Sequence, residues 1–496
     1  MSAAISYSAL HPSSNTATAT PLCVDLDGTI LATDLLHECL VRLLSRPWLF
    51  LLLPFWLLRG KAVLKRELAK RVELDSAALP YRRDLLQWIR AEHAEGRPIF
   101  LVTGSDQKFA DQISAHLGLF EGAFGSDGTV NLTSKRKASF LMKRFGGGGF
   151  DYVGDSKADL AVWREARYAI TANRKVAAQA DKIASVTRSF ESPRVTPKVI
   201  VKAIRVRQWI KNILVFLPLV TAHRIFDLHA FRHAMIAFFA ISFSASAIYV
   251  VNDLLDLDSD RLHATKCKRP FASGVLPVLW GFFLFPALLA CATVLASFLP
   301  IEARFVIATY IATTLLYSFY LKRKMLVDVF ALAFLYTMRV ILGCAATGIT
   351  CSAWLISFSI FLFTSLAFCK RAAELFNARK LQRENAKGRD YFVWDFNQVN
   401  TFGVTSGYLA AIVLANYIHS EQVAVLYRSP VWLWVLVPLL VYWVSRTWIL
   451  TSRGAMQEDP IVFALRDRVT YICAAISGAA LFLATTTHVG IPGVSQ

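Results

Sequence analysis

The nine residues Asn252–Asp260 hold one amide and four carboxylates at the end of a membrane-length apolar run. In a helix Asn252, Asp256 and Asp260 fall at i, i+4 and i+8, and Asp253 lies three residues before Asp256. Four oxygen-bearing side chains then share one face, while Asp258 points elsewhere. Like charges this dense at a membrane boundary are costly unless a cation bridges them, and hard oxygen ligands suit Mg²⁺. Mg²⁺ commonly completes its shell with substrate phosphates, so the cluster reads as a grip for a diphosphate. The competing reading, a solvated acidic loop, gives no reason for acids spaced along one face.

A second set of polar residues lies nearer the N-terminus. Asp25-Leu26-Asp27-Gly28-Thr29 follows a short apolar strand, Thr103-Gly104-Ser105 follows another, and Gly154-Asp155-Ser156-Lys157-Ala158-Asp159 follows a third, with Lys137 between them. Two carboxylates two residues apart on a strand-to-loop turn suit a nucleophile and an acid/base partner, at the strand ends where open α/β sheets bind ligands.

The elements that must position these groups divide the chain. Residues 1–20, rich in Ser, Ala and Thr without an apolar core, read as a disordered lead. Residues 21–190 alternate short apolar strands (22–26, 99–102, 152–153, 168–170) with charged helical stretches, the pattern of a doubly wound parallel sheet. Residues 191–200 form a linker with two prolines, and residues 201–490 are predominantly apolar. A mean hydropathy of +0.44 and 55% hydrophobic residues exclude an ordinary soluble protein. Nine membrane-length segments are expected, near 209–226, 230–251, 278–298, 302–321, 326–346, 352–369, 401–418, 430–448 and 469–487. Lys and Arg crowd alternate connections, above all the sixth-to-seventh with Lys370, Arg371, Arg379, Lys380, Arg383, Lys387 and Arg389, whereas the fifth-to-sixth carries no charge. That asymmetry predicts a multi-pass protein of the cell membrane with its N-terminal domain in the cytoplasm. The net charge of +19 is then topology signal and phosphate binding rather than a nucleic-acid surface. The eight cysteines show no CxxC pair and are expected to be packing residues without a disulfide framework.

One stretch departs from the soluble pattern. Residues 47–58 read PWLFLLLPFWLL, too short to span a hydrocarbon core of about 30 Å, and fit either a buried cap helix or a face resting on the membrane surface. Lys61, Lys65, Arg66, Lys70 and Arg71 follow and would suit lipid phosphates.

The ordered set Asp25–Thr29, Thr103, Lys137 and Asp155–Asp159 resembles the haloacid-dehalogenase (HAD) phosphatase superfamily, with residues 31–95 as its helical cap. The resemblance implies that Asp25 attacks phosphorus and Asp27 serves as acid and base, while Thr103 and Lys137 bind phosphoryl oxygens. It also implies a Mg²⁺ site of Asp25, Asp27 (through its backbone carbonyl), Asp155 and Asp159, the last either supporting the metal or orienting the lysine. Lys135 and Lys143 compete with Lys137, which alone begins a Lys-Ala-x-x-Leu helix as in that family.

The Asn252–Asp260 motif on a many-span chain resembles the UbiA prenyltransferase superfamily. Typical members carry a second Asp-x-x-x-Asp pair, where this chain has Lys370-Arg371-Ala-Ala-Glu374 and then Gly388-Arg389-Asp390-Tyr391. Residues 207–212 (RQWIKN), Arg269-Pro270, residues 317–322 (YSFYLK), Lys370-Arg371-x-x-Glu374 and residues 459–464 (DPIVFA) resemble one branch, the decaprenyl-phosphate phosphoribosyltransferases. That branch implies transfer of 5-phosphoribosyl from phosphoribosyl pyrophosphate (PRPP) to a polyprenyl phosphate. Asp253, Asp256 and Asp260 would hold Mg²⁺, and Asn252, Lys211, Tyr320, Lys322, Arg339, Lys370, Arg371, Glu374 and Arg389 would contact substrate. Arg339 sits mid-span, where a charge is usually functional or paired, and Asp328 is a candidate for its partner or for a substrate-ribose contact. The fused phosphatase would then remove the ribose 5-phosphate, or with the same catalytic residues act on a free sugar phosphate or in PRPP-related housekeeping. Competing expectations are a prenyl diphosphate donor with an aromatic or other acceptor, and a non-enzymatic lipid carrier. Homo-oligomerisation is left open.

Overall fold

A computed structural model describes residues 19–384, 389–456, 460–464 and 466–487. Most of the 1–20 lead, with Lys387, Gly388 and Asp459, lies outside the described residues. The chain forms two compact units, Met1–Ala203 with Val251–Phe283, and Ile204–Val250 with Leu284–Gln496. The segment that carries the acidic motif therefore groups by its contacts with the N-terminal unit.

The first unit is built on six parallel strands, β1 (Leu22–Val24), β2 (Ile99–Asp106), β3 (Gly122–Ser126), β4 (Asp151–Gly154), β5 (Ala169–Thr171) and β6 (Val186–Ser189), in the order β3-β2-β1-β4-β5-β6. The central strand is apolar on both faces, with Leu22, Cys23 and Val24 fully buried, as expected for a parallel strand covered by helices on each side. Strand order reverses between β1 and β4, and the loops after these two strands carry Asp25 and Asp155. An α/β sheet opens its ligand crevice at such a switch point.

Between β1 and β2 the chain inserts helices Leu35–Arg42, Lys61–Arg71 and Arg83–Ala94, with a short 3₁₀-to-α segment over Pro47–Leu52 and Leu53–Leu58. Asp34 caps the first of these helices by accepting from the Leu36 amide at 2.7 Å. Its buried face bears Glu38 and Cys39.

Seven helices among the described residues are long and apolar enough to cross a membrane: Leu228–Leu255, Leu279–Ser297, Val327–Thr347, Ala353–Lys380, Val393–Ile418, Pro430–Ser452 and Arg468–Thr486. The expectation of nine is corrected at two places. Residues 209–226 are divided between a 3₁₀ stretch, Val206–Phe216, and the short helix Leu217–Thr221, because Lys211, Asn212 and Pro218 deny the segment a continuous apolar helix. Residues 302–321 do form one helix, Ile301–Phe319, but Glu302 and Arg304 in its first turns lower its apolar character.

The cysteine expectation also changes. Cys344 and Cys351 form a disulfide that joins the end of Val327–Thr347 to the start of Ala353–Lys380. Seven residues apart, the pair offers no motif spacing, and the turn at Gly348 brings the two Cα atoms to 5.6 Å.

Candidate functional site

Asp25 lies just past β1, buried, with its Oδ1 2.8 Å from Lys137 Nζ. Lys137 projects from helix Lys135–Phe145 and also donates to the Tyr152 hydroxyl at 2.8 Å, which in turn donates to Asp159 Oδ1 at 2.9 Å. The other Asp159 oxygen accepts from the Asp155 amide, the Ser156 amide and the Ser156 hydroxyl at 3.2, 3.0 and 2.8 Å. Asp159 therefore shapes the loop after β4 and steadies the lysine through Tyr152. Ligand oxygens of Asp25, Asp155 and Asp159 lie within 4.8 Å of one another.

Asp27 lines the same cavity with a separate set of partners. Its Oδ1 accepts from the Leu35 amide at 2.8 Å, and its Oδ2 accepts from the hydroxyls of Ser105 at 2.6 Å and Thr103 at 3.2 Å. Thr103 thus contacts Asp27 and the Ser105 amide in addition to lining the strand end. Immediately after Asp27, Gly28 has φ +73°, and a β-carbon there would collide with the Asp155 carboxylate. Only glycine meets both demands.

A cavity of about 410 Å³ opens over these groups, lined among others by Asp25, Asp27, Asp155, Lys137 and Lys65. Burial pushes the Asp25 carboxyl up to about 7 against the pull of Lys137, with Asp159 adding to the rise. Burial, with Asp34 nearby, takes Asp27 to about 6. Burial and then the neighbouring Asp25, Asp159 and Asp27 take Asp155 to about 8. Crowded carboxylates facing two lysines, Lys137 and Lys65, are under-compensated, and a divalent cation would supply the missing positive charge. The donor set, all hard oxygens, fits Mg²⁺.

Three contributors escaped the sequence. Lys65, read there as a lipid-phosphate cation, reaches the cavity and donates to Gly104 O at 2.5 Å and Asn131 Oδ1 at 3.1 Å. Ser105 and Tyr152 had no signal beyond their places in strands β2 and β4. Lys135 and Lys143 do not reach the carboxylates; both are exposed.

The acidic motif keeps its helical register through an interruption. Helix Leu228–Leu255 ends before Asp256 and a further turn, Leu257–Arg261, follows, yet the Asp256 amide still donates to Asn252 O and the Asp260 amide to Asp256 O, at 2.9 and 2.8 Å. Asp253 and Asp260 are both buried, and Arg269 lies between them, 3.2 Å from Asp253 Oδ1 and in tight contact with Asp260. Asp258 turns to the other side, to Arg42 at 2.5 Å and Arg261 at 3.8 Å. Asn252 Oδ1 is buried with no hydrogen-bond donor among the described residues. An orphaned oxygen beside clustered carboxylates fits a cation ligand. The motif's own acids do not converge as closely as Asp25, Asp155 and Asp159, the group of that kind among the described residues.

In the second unit the suggested Arg339–Asp328 pair is not formed. Arg339 Nε donates to Asn212 Oδ1 at 2.8 Å and its NH2 to the Tyr310 hydroxyl at 3.1 Å, and the guanidinium lies over the Tyr310 and Tyr336 rings. Lys211 lies 5.8 Å from the centre of the Tyr336 ring. Asp328, fully buried, instead meets Arg371 Nε at 2.6 Å and Arg389 at 3.6 Å, and accepts from the Tyr391 hydroxyl at 2.7 Å. Arg371 also contacts Glu374, and the Tyr317 hydroxyl accepts from both Arg371 and Arg389, at 3.3 and 3.1 Å. Arg389 further donates to Lys322 O at 2.9 Å. Tyr317, one turn before the expected Tyr320, therefore joins Tyr391 in this network, while Tyr320 is exposed. Lys322 and Lys370 are half-buried at its edge.

The UbiA prenyltransferase family model matches residues 213–486, over half of the chain. The chain belongs to the UbiA prenyltransferase family. Its C-terminal part is thereby a multi-pass membrane transferase. Among relatives of this UbiA protein, the uncharacterized protein y4nM of Sinorhizobium fredii is 37% identical over 94% of this chain and 91% of its own length. Nodulation protein NoeC of Azorhizobium caulinodans is 33% identical over 57% of this chain and 91% of its own. The decaprenyl-phosphate phosphoribosyltransferase of Mycobacterium tuberculosis is 30% identical over 55% of this chain and 90% of its own.

Proposed function

We propose that the membrane part transfers a 5-phosphoribosyl group from PRPP to a polyprenyl phosphate with release of pyrophosphate. The observation that carries this is the match to the M. tuberculosis phosphoribosyltransferase across nine-tenths of that protein's length. It is joined by the cationic loop that stands where a second acidic pair is typical. Asp253, Asp256 and Asp260, with Asn252, would hold Mg²⁺, whose charge steadies the leaving pyrophosphate. A lipid phosphate oxygen forms the bond to ribose C1 as the C1–pyrophosphate oxygen bond breaks. The lipid phosphate is already ionised, so no strong base is required. Lys211, Lys322 and Lys370 are the proposed phosphate contacts. Arg371 and Arg389, tied to Asp328 and Glu374, hold that loop in shape and offer their remaining donors to substrate. Arg339, engaged by Asn212 and Tyr310, is proposed as a positioning residue.

The N-terminal unit is proposed to be a Mg²⁺-dependent HAD-type phosphatase. Asp25 would attack phosphorus. Asp27, held by Ser105, Thr103 and Leu35 and raised to about 6, would carry the proton for the leaving oxygen and later take one from water. Lys137 and Lys65 would offset charge on the phosphoryl oxygens. Its proposed substrate is the 5-phosphate of the transferase product, and the N-terminal unit would lie in the cytoplasm.

The test incubates purified protein with radiolabelled PRPP, Mg²⁺ and polyprenyl phosphate, beside Asp256→Asn and Asp25→Asn. Label in lipid that disappears with Asp256→Asn supports the transferase, and a 5-phosphorylated lipid accumulating only in Asp25→Asn supports the second step. No lipid label from the wild type, with incorporation from a prenyl diphosphate instead, would replace the donor assignment.

A further inference from the structure

Residues Trp48–Leu58 are apolar on two sides. Trp56 is buried, and Leu49, Phe50 and Leu53 pack against the same core as Leu35, Cys39 and Leu68. The opposite side presents Trp48, Leu51, Leu52, Phe55, Leu57 and Leu58, of which Leu51 and Leu58 are 81% and 87% exposed. Eleven large hydrophobic side chains are exposed among residues 19–203, and six of them are these. A core-forming segment needs one apolar face; the second has no role in the fold and is large for a water-facing surface.

What covers it is indicated by its surroundings. The Phe50 ring lies 6.5 Å from that of Phe282, in the first turn of the membrane-length helix Leu279–Ser297. The segment therefore stands beside the point where that helix begins. From Arg46 to Arg66 the sequence holds five cations (Arg46, Arg59, Lys61, Lys65, Arg66) and no acid, and Arg46, Arg59 and Lys61 are exposed. Aromatic and aliphatic side chains flanked by exposed arginine and lysine match the interface of an anionic bilayer, apolar inward and cationic at the headgroups. Eleven helical residues reach about 17 Å, enough to lie in an interface and too few to cross it.

The carboxylate cavity shares this location. Pro277 and Val278 line it, and Leu279, the next residue, opens the same membrane-length helix. Gly274, in the same segment, leaves no room for a β-carbon against Ala32, which follows the Asp25–Thr29 turn. We propose that Trp48–Leu58 is an interfacial membrane anchor that keeps the Asp25 cavity at the bilayer surface, where it takes phosphomonoesters carried on lipid headgroups. The anchor stands on the exposed surface, its flanking cations and the Phe282 contact; the substrate class rests on the phosphatase reading above.

The test uses the full chain in nanodiscs containing anionic lipid, in a Cys267→Ser, Cys291→Ser background that removes the two free cysteines not buried. An environment-sensitive fluorophore is placed at Leu51→Cys, at Leu58→Cys and, as an exposed control, at Lys182→Cys. Tail-brominated lipid is expected to quench the first two about tenfold more than the control. Equal quenching at all three positions overturns the anchor. Shielding of Leu51 from aqueous iodide without bromolipid quenching also overturns it, because protein, such as a second copy of the chain, would then be the cover. In a second arm Leu51→Glu with Phe55→Glu is expected to lose about tenfold in hydrolysis of vesicle-borne phosphatidate and little with p-nitrophenyl phosphate. Equal effects on both esters overturn the substrate class and leave the anchor standing. Hydrolysis of neither ester by the wild type overturns the phosphatase reading and the substrate class with it, while the quenching arm still decides the anchor.

Discussion

Replacing Glu38 by Gln should destabilise the N-terminal unit severely although the side-chain shape is kept. Glu38 is fully buried and accepts from Thr33 Oγ1 at 2.8 Å, from Arg42 at 2.8 Å and from Arg261 at 2.7 and 3.1 Å. Arg261 is itself almost inaccessible and among the described residues has, besides Glu38, the Ala272 carbonyl at 3.3 Å and Asp258 at 3.8 Å. The amide removes the charge and turns an NH₂ toward two guanidinium groups. Stranding one partner of a buried pair costs about 3–5 kcal/mol. The summed worth of the individual hydrogen bonds would be larger, but Asp258 and partial solvent access still serve Arg42. For a unit of this size the loss corresponds to roughly 6–20 °C in Tm. Cys39, the next residue and buried, reports directly: its labelling by a thiol reagent on heating, read by mass spectrometry, marks opening of helix Leu35–Arg42. Glu38→Leu combined with Arg261→Met should recover most of the loss, since an apolar pair of similar volume replaces a buried ion pair at little cost. A Gln variant in which Cys39 becomes reactive at the wild-type temperature would refute the reasoning.

The same glutamate sets a pH dependence. Burial alone would raise its carboxyl, but Arg261 and Arg42 outweigh that and hold it below its ordinary value of 4.5. Its contribution is thus complete above that value and lost as pH falls through the lower folded one, so the gap between wild type and Glu38→Gln should close only under acid, measured by the same Cys39 labelling. Gly28→Ala should abolish phosphomonoester hydrolysis, through its φ of +73° and the collision with Asp155, while lowering the Cys39 labelling temperature by only a few degrees, as a strain of about 1–2 kcal/mol implies. Mg²⁺ at a hundredfold its dissociation constant should stabilise the N-terminal unit by about 2.7 kcal/mol. Asp155→Asn should remove that response and, by thinning a crowd of buried carboxylates, raise stability in its absence. Tyr391→Phe should cost about 1–3 kcal/mol in the second unit, because Asp328 and the Leu326 amide both lose the hydroxyl; thermal denaturation in detergent measures it.

Strands β1, β2, β4 and β5 were legible because each is a short apolar run. Strand β3 contains Gly122 and Gly125, and β6 is largely exposed, so neither carries an apolar signature. The carboxylates of the first site sit at strand ends, where local sequence alone fixes their placement. Tyr152 and Lys65 depend on how helices and strands pack, which no spacing encodes. The acidic motif's face was readable from its i, i+4 pattern, but the return of Arg269 between Asp253 and Asp260 depends on a loop. Arg339 illustrates the same limit: its mid-span position announced a partner, and the choice of Asn212 over Asp328 was made by helix packing.

The bond between Cys344 and Cys351 carries geographical information. Sulfur bridges persist on the oxidising face of a membrane and are reduced on the cytosolic one. The bridge closes the connection that bears no lysine or arginine, so its redox state tests the proposed topology by physics unrelated to charge asymmetry. In intact cells a membrane-impermeant reductant followed by an impermeant maleimide should tag this pair, and Cys267, in a basic connection, should stay untouched until the membrane is opened. The disulfide thus offers a check, independent of charge, on the proposed cytoplasmic placement of the Asp25 cavity.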